Sequence, residues 1–155
     1  MPVVTITLLE GYDAATRARL GTALTNAVAG VLDAAPEAIT VLMPELDPAS
    51  YMRGGATRRP GPPRPDPAEM VQTFLQTMEA RDLDAARAML APGFTMTFPG
   101  AQRMTTLEEL VAWSTPRYRF VTKTYERFDS LQDGATSICY CFGTLSGEWL
   151  DGTPF

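Results

Sequence analysis

The chain has 155 residues, enough for one ordinary domain or two small ones, and 45% of them are hydrophobic, which is sufficient for a folded core. Its net charge of −5 disfavours nucleic-acid binding, which needs a basic surface. It contains no histidine, which excludes Ser-His-Asp and Cys-His catalytic sites and removes the commonest metal ligand. Because no signal peptide precedes the first strand and no apolar run has membrane-spanning length, we expect a soluble cytoplasmic protein with no membrane or nucleic-acid partner.

The first ten residues predict a strand with an unusual start. Residues 3–9 favour a strand with Val4, Ile6 and Leu8 on one face. Pro2 opens it, as strand starts tolerate proline. The small second residue should let Met1 be removed, and Pro2 would then carry a free secondary amine. A Met-Pro start also occurs without function, so its meaning depends on the residues that follow.

A helix and a second strand follow. Asp13 is a candidate N-cap, and the helix that it begins carries one apolar stripe that runs to Leu32. Arg17 and Arg19 lie off this stripe, so we expect them to be solvated. Residues 38–43 form the second predicted strand. Short turns join strand, helix and strand, which predicts parallel strands with the helix on one face of the sheet.

Residues 50–55 read as a short hairpin-like tail with two flexible glycines, Gly54 and Gly55. The unit that ends here has fewer than sixty residues, and one face of its two-stranded sheet is left uncovered. We therefore expect it to oligomerise.

Residues 2–55 resemble a subunit of the 4-oxalocrotonate tautomerase family. The features that carry the resemblance are Pro2, the apolar strand to Leu9-Glu10-Gly11, a helix of the right length, the strand Ile39–Met43 followed by Glu45, and Tyr51 before Gly54-Gly55. The resemblance implies a trimer or hexamer that isomerises enols to ketones without cofactor or metal. It also implies that the Pro2 amine, neutral near its working pH, is the general base.

The sequence departs from this family at its substrate-binding positions. Family members that act on dicarboxylates carry arginine where this chain has Tyr12 and Thr40. The nearest alternative cation is Arg53, close to Tyr51. We therefore predict catalytic residues Pro2, Arg53 and Tyr51, with Tyr12 and Thr40 at substrate-binding positions and a small carbonyl or enol acid as substrate. The alternatives are interface packing for Tyr51, a solvated loop charge for Arg53, and a non-catalytic oligomerisation unit.

Residues 57–66 are rich in proline and arginine, which predicts an extended, semi-rigid linker. A solvated spacer is favoured over contacts of its arginines with phosphate or an acidic partner. The sequence therefore predicts a tautomerase-like unit over residues 1–56, a linker over 57–66 and a second domain over 67–155.

The second domain is predicted to contain helices followed by long antiparallel strands. The predicted elements are a helix from Pro67, a short helix over 83–90, a strand over 94–98, a capped helix over 105–113, and strands over 119–128 and 136–149 with a turn at Asp133-Gly134.

This order of elements resembles the SnoaL-like group of the nuclear transport factor 2-like superfamily, most clearly in the segment MVQTFLQTMEARDLDAARAMLAPGFTMTFPG over residues 70–100. The resemblance implies an α+β cystatin-like cone with an internal pocket for a small ligand, or a cyclase or isomerase site. Family members continue with further strands, so we expect this domain to be incomplete at Phe155. The predicted fold class is thus α+β, a βαβ tautomerase-like unit fused to a SnoaL-like domain.

Candidate residues in the second domain are less specific. The candidate carboxylates are Glu126, Asp129 and Glu148, with surface salt bridges as the favoured alternative. The candidate pocket residues are Met96, Phe98, Trp113 and Tyr118, with ordinary core packing as the favoured alternative.

The two cysteines, Cys139 and Cys141, alternate with apolar residues on one predicted strand. Neighbours two apart on a strand are badly placed to form a disulfide. We therefore expect both to be reduced and buried as small hydrophobic side chains.

Overall fold

The computed structural model describes residues 1–100 and 102–155. The chain divides into two units, Met1–Arg64 and Pro65–Phe155. None of the helices in the described part of the chain is long and apolar enough to cross a membrane.

Short parallel strands form the centre of the N-terminal unit. Strand β1 (Val3–Thr5) pairs with β3 (Thr40–Leu42), and β2 (Leu8–Leu9) pairs with β4 (Glu45–Leu46). The parallel pairing predicted from the sequence is confirmed. The single predicted strand over residues 3–9 is instead two strands, β1 and β2. Between them the chain stays bonded to the opposite segment, with the N–H of Ile6 donating to the Leu42 carbonyl (2.9 Å) and the N–H of Leu8 to the Pro44 carbonyl (3.0 Å).

Helix α1 (Ala14–Ala29) covers one face of these strands. The Asp13 side chain accepts a hydrogen bond from the Thr16 N–H at 2.7 Å, which confirms the predicted N-cap. The helix ends at Gly30, earlier than predicted, and leaves Val31 and Leu32 exposed. Glycine is a poor helix former, and the chain leaves the helical path here before a 3₁₀ turn, Pro36–Ala38, leads into β3.

The predicted hairpin-like tail is present. A 3₁₀ turn, Pro48–Ser50, precedes strands β5 (Met52–Arg53) and β6 (Ala56–Thr57), which pair antiparallel. Gly54 and Gly55, at φ values of 62° and 76°, form its two-residue turn. Two successive left-handed residues match the twist of a tight hairpin, and glycine adopts them without a steric penalty.

The proline-rich segment after β6 has no regular secondary structure through residue 65. It is nevertheless not a free spacer in its first part. Pro60 lies against the turn at Gly11, where a Cβ atom would come within 2.9 Å of Pro60 Cγ, and the Arg19 guanidinium donates to the Arg64 carbonyl. The expectation that Arg19 is simply solvated is therefore wrong, because its guanidinium bonds to the Arg64 carbonyl.

The N-terminal unit has no buried core of its own. Residues 1–64 are all described, and none of them is classed as buried. Val3 and Leu42, on the sheet face away from α1, are 59% and 50% exposed. One apolar face of the sheet therefore remains in contact with solvent, as expected from its two-stranded size.

Three helices form one side of the C-terminal unit: α2 (Pro67–Glu79), α3 (Leu83–Ala88) and α4 (Leu107–Ser114). Each begins at a side-chain cap, from Asp66, Asp82 and Thr106 respectively. Thr106 and Glu109 form a reciprocal capping box, which confirms the helix start predicted there.

Two antiparallel hairpins complete this unit. Strand β7 (Met96–Phe98) pairs with β8 (Gln102–Met104), which the sequence did not predict because it is short and polar. Strand β9 (Tyr118–Asp133) pairs with β10 (Thr136–Trp149). Strand β9 was predicted to end at Phe128 but continues five residues further, to Asp133, and within this extension Leu131 pairs with Ile138.

The cone implied by the SnoaL-like resemblance is not confirmed. Among the described residues the hairpins are separate two-stranded sheets, so no curved multistranded sheet encloses a central pocket. The buried apolar side chains of the described chain are Ala86, Met104 and Leu107, and they lie where α3, β8 and α4 meet. The last residues fold back on β10, with two 3.0 Å backbone bonds between Phe155 and Gly147.

Candidate functional site

Pro2 is positioned by the start of the parallel sheet. Its carbonyl accepts a hydrogen bond from the Thr40 N–H at 3.0 Å, and its side chain is half-buried. Met1 is 94% exposed. The sheet thus fixes the backbone of Pro2 while leaving the preceding residue in solvent.

Tyr51 and Arg53 are brought together by the hairpin. The Arg53 Nη2 donates to the Tyr51 hydroxyl at 3.3 Å, with Tyr51 half-buried and Arg53 exposed. Alternating residues on a strand share a face, which explains why these two side chains meet. The tight glycine turn that follows holds the cation at the end of the hairpin.

Tyr12 and Thr40 are both half-buried. Tyr12 lies between the turn residue Gly11 and the helix cap Asp13, and Thr40 is the first residue of β3. Within the described residues, no hydrogen bond joins Pro2 or Tyr12 to the Tyr51–Arg53 pair. The hydrogen bonds of one chain therefore link Pro2 to Thr40 and Tyr51 to Arg53.

An ion pair that the sequence did not predict links the helix to the sheet. Arg17, expected to be solvated, pairs with Glu45 of β4, and their side chains are 37% and 26% exposed. Next to it, the backbone and side-chain hydrogen bonds from Thr16 lower the pKa of Asp13, and Arg17 lowers it further. Only the chain path that places α1 over β4 reveals this pair.

Comparison with known proteins identifies the N-terminal region. The model of the Tautomerase enzyme family matches residues 2–57. The solved structure of TomN, described as a 4-oxalocrotonate tautomerase homologue in the tomaymycin biosynthetic pathway, is 38% identical over 36% of this chain and 86% of TomN, with a TM-score of 0.35. Through this region, the chain belongs to the tautomerase family.

Two further solved tautomerases match the same region. A 4-oxalocrotonate tautomerase isozyme from Methylibium petroleiphilum is 30% identical over 36% of this chain and 88% of its own, with a TM-score of 0.35. A heterohexameric 4-oxalocrotonate tautomerase from Chloroflexus aurantiacus is 30% identical over 37% and 92%, with a TM-score of 0.35. No curated protein matches the chain. The resemblance read from residues 2–55 is thus confirmed at the level of the family.

Outside the tautomerase region, two of the candidate carboxylates are in surface ion pairs. Asp129 Oδ2 forms an ion pair with Arg127 Nε at 3.0 Å, and Glu148 pairs with Arg119 at 2.6 Å. Glu126 is exposed on β9. For Asp129 and Glu148 the salt-bridge alternative describes the structure, and neither lies in an apolar pocket.

The candidate pocket aromatics pack against one another. The ring centroids of Phe98 and Trp113 are 4.8 Å apart, and Tyr118 contacts both Trp149 (5.0 Å) and Phe155 (5.5 Å). Met96, the fourth candidate, is half-buried. Packing between rings at these distances is typical of an aromatic cluster that stabilises a fold.

The cysteines of β10 are both free, as expected, but only one is shielded. Cys139 is half-buried, and burial raises the pKa of its thiol, whereas Cys141 is exposed. The prediction that both are buried is therefore wrong for Cys141. On the neighbouring strand β9, Tyr125 pairs with Gly143 and has a buried hydroxyl with no partner among the described residues, and burial raises its pKa to about 12.

The described residues contain no group of three or more His, Cys, Asp or Glu side chains that is able to hold a metal ion.

Proposed function

We propose that the tautomerase region is a cofactor-independent isomerase of a small enol or keto acid, with Pro2 as the general base. The observation that carries this proposal is the family match over residues 2–57, which begins at Pro2 itself. The 38% identity to a tautomerase homologue over 86% of that protein supports the same reaction class.

In the proposed reaction, removal of Met1 gives Pro2 a free secondary amine. A half-buried position disfavours the charged ammonium, so the neutral amine can accept a proton. It takes the proton from the enol hydroxyl, and the resulting enolate collapses to a ketone as the same proton is returned to carbon. The base is regenerated, and no electrons are gained or lost overall.

The remaining site residues are proposed to bind the acid. Arg53 offers a guanidinium for a carboxylate or an enolate oxygen, and its bond to the Tyr51 hydroxyl holds both groups at one place. Tyr12 can donate a further hydrogen bond, and Thr40 fixes the Pro2 backbone. With tyrosine and threonine at positions 12 and 40, a substrate with one carboxylate fits better than the dicarboxylates of the arginine-bearing family members.

We also propose that copies of the chain assemble through the N-terminal unit into a trimer or hexamer. The N-terminal unit has no buried residue, and Val3 and Leu42 expose an apolar sheet face. Covering that face by another copy supplies the missing core. The Chloroflexus aurantiacus relative is a heterohexamer. In such an assembly, Arg53 of a neighbouring copy is the group that we expect beside Pro2.

For the rest of the chain we propose a SnoaL-like domain over residues 67–155, after the segment 57–66, that binds a small hydrophobic ligand. The support is the order of its elements, with two helices, a short hairpin, a capped helix and a long hairpin, together with its aromatic cluster.

A kinetic comparison of Pro2→Ala with the natural chain tests the base assignment. Both proteins have a removable Met1, so the variant replaces only the secondary amine. We expect kcat/KM for tautomerisation of phenylpyruvate or a 2-hydroxydienoate to fall about 10²- to 10⁴-fold, the usual contribution of a general base. Unchanged turnover, or an intact mass that shows Met1 retained in an active protein, overturns the assignment.

A non-catalytic oligomerisation unit is the second candidate, favoured by the absence of arginine at positions 12 and 40. It predicts an intact assembly with no turnover of either substrate in the natural chain, whereas the enzyme hypothesis predicts turnover that depends on both Pro2 and Arg53.

A further inference from the structure

A cavity of about 690 Å³ lies in the C-terminal unit, and none of its lining residues belongs to the aromatic cluster. It opens between the end of α3 with the loop that follows it and the junction of β8 with α4. Its size falls within the range of about 300–1,000 Å³ that is usual for small-molecule sites.

One wall of this cavity is apolar. It is formed by Leu90, Pro92 and Phe94 from the loop after α3, together with Leu107 at the start of α4. Leu107 is only 1% exposed, so this wall is continuous with the small core of the unit. A ligand with an apolar body would lose its hydration shell against these side chains.

Most of the polar groups in the cavity already have partners. Arg87 is held by Asp84 and Glu108, and the carboxylate of Glu109 accepts from the N–H groups of Thr105 and Thr106. These bonds engage the carboxylate of Glu108 and the N–H groups that precede α4.

Arg103 is the exception. It lies exposed on β8 at the edge of the cavity, and among the described residues it has no hydrogen bond and no ion pair. A guanidinium presents its donors in a planar fork that matches a carboxylate, and such charge-assisted pairs are the strong members of their class.

From these features we propose that the cavity binds a small monocarboxylic acid, with the carboxylate on Arg103 and the apolar body against Leu90 and Phe94. One free cation selects one carboxylate, and the apolar wall selects against acids that are polar throughout. This binding does not depend on Pro2 or on the proposed isomerase activity.

Calorimetric titration of the full chain with phenylacetate tests the proposal, with phenylacetamide as the uncharged probe of the same shape. We expect saturable binding of one phenylacetate per chain and no binding of the amide. In Arg103→Gln the dissociation constant should rise about tenfold or more, the loss typical of a hydrogen bond to a charged group. Arg81→Gln, an exposed arginine of the same unit, is the matched control and should bind as the natural chain does.

A second pair of variants separates the cavity from the tautomerase region. Phe94→Ala should weaken phenylacetate more than acetate, because it removes only apolar contact. Affinity lost in Arg53→Gln but retained in Arg103→Gln assigns the acid to the tautomerase region and overturns the proposal. Equal binding of acid and amide, or no binding by a folded natural chain, overturns it as well. Tryptophan fluorescence checks folding, since Trp113 and Trp149 both lie in this unit.

Discussion

The two units of this chain differ in how they are stabilised. Met1–Arg64 belongs to a recognised family and has parallel strands under a helix, yet none of its residues is classed as buried. Pro65–Phe155 has no such family assignment, yet it contains the buried side chains Ala86, Met104 and Leu107. A recognisable sequence pattern therefore does not require a self-sufficient core. The N-terminal pattern describes one piece of a structure that other copies are proposed to complete.

The substitution with the largest expected effect places a charge on the exposed sheet face of the N-terminal unit, where it should dissociate the proposed assembly. Leu42→Lys places an ammonium where we propose that another copy packs. An unpaired buried charge costs about 3–5 kcal/mol, so the dissociation constant of the assembly should rise more than a hundredfold. Light scattering across a dilution series measures it.

Leu32→Lys is the matched control for that substitution, because Leu32 is also 50% exposed but lies beyond the helix end instead of on the sheet. The proposed interface is contradicted if Leu42→Lys and Leu32→Lys dissociate the assembly equally, or if neither variant dissociates it.

The next largest effect should be confined to the C-terminal unit. Leu107→Ala removes a side chain that is 1% exposed, and loss of a buried leucine costs about 2–5 kcal/mol. Urea unfolding followed by tryptophan fluorescence reports this unit alone, since both tryptophans lie in it. Leu150→Ala, half-exposed, should change the midpoint little. If its effect equals that of Leu107→Ala, the assigned core is wrong.

A smaller loss of stability is expected from a substitution at Gly11, in the turn against which Pro60 of the proline-rich segment packs. Gly11 has φ of 130°, and a Cβ atom there would clash with Pro60 at 2.9 Å. Gly11→Ala should therefore cost about 1–3 kcal/mol in the N-terminal unit, as for other strained backbone positions. Hydrogen exchange of α1 amides measures it. Gly61→Ala, which has open space around it, is the control and should leave exchange unchanged.

The smallest effect concerns pH. Hydrogen bonds from the N–H groups of Thr105 and Thr106 lower the pKa of Glu109 below its ordinary value of 4.5. A lowered folded-state pKa gives stability that is present above the unfolded value and lost as pH falls through the folded value. Glu109→Gln should therefore flatten the loss of C-terminal stability below about pH 5.

Urea midpoints taken from pH 6 to pH 3 measure that slope, with Glu126→Gln as the control carboxyl on an exposed strand. A slope that Glu109→Gln leaves unchanged contradicts the assigned role of this carboxylate.

Local sequence signals predicted the starts of elements better than their ends. The Asp13 cap, the Thr106–Glu109 capping box and the glycine turn of the hairpin were readable because each depends on residues within a few positions. The extent of α1 and β9 was misjudged, because apolar periodicity continues past Gly30 and fades before Leu131. Strand β8 was missed because its polar residues gave no periodic signal.

Long-range contacts could not be read in the same way. Arg17 was expected in solvent, and its pairing with Glu45 follows only from the path of α1 over β4. Pro60 on Gly11 and the exposure of Cys141 likewise depend on where distant segments come to lie.

By itself, then, the sequence showed the resemblance of residues 2–55 to the tautomerase family. It also determined the parallel βαβ arrangement and the position of Pro2 at the start of a strand, because hydrophobic periodicity, caps and turns are local physics. The tertiary structure alone decided that Arg53 donates to Tyr51, that the N-terminal unit lacks buried residues, and that Arg103 lines a cavity without an ionic partner among the described residues. Burial and charge pairing depend on which segments meet in space, and no spacing along the chain specifies that.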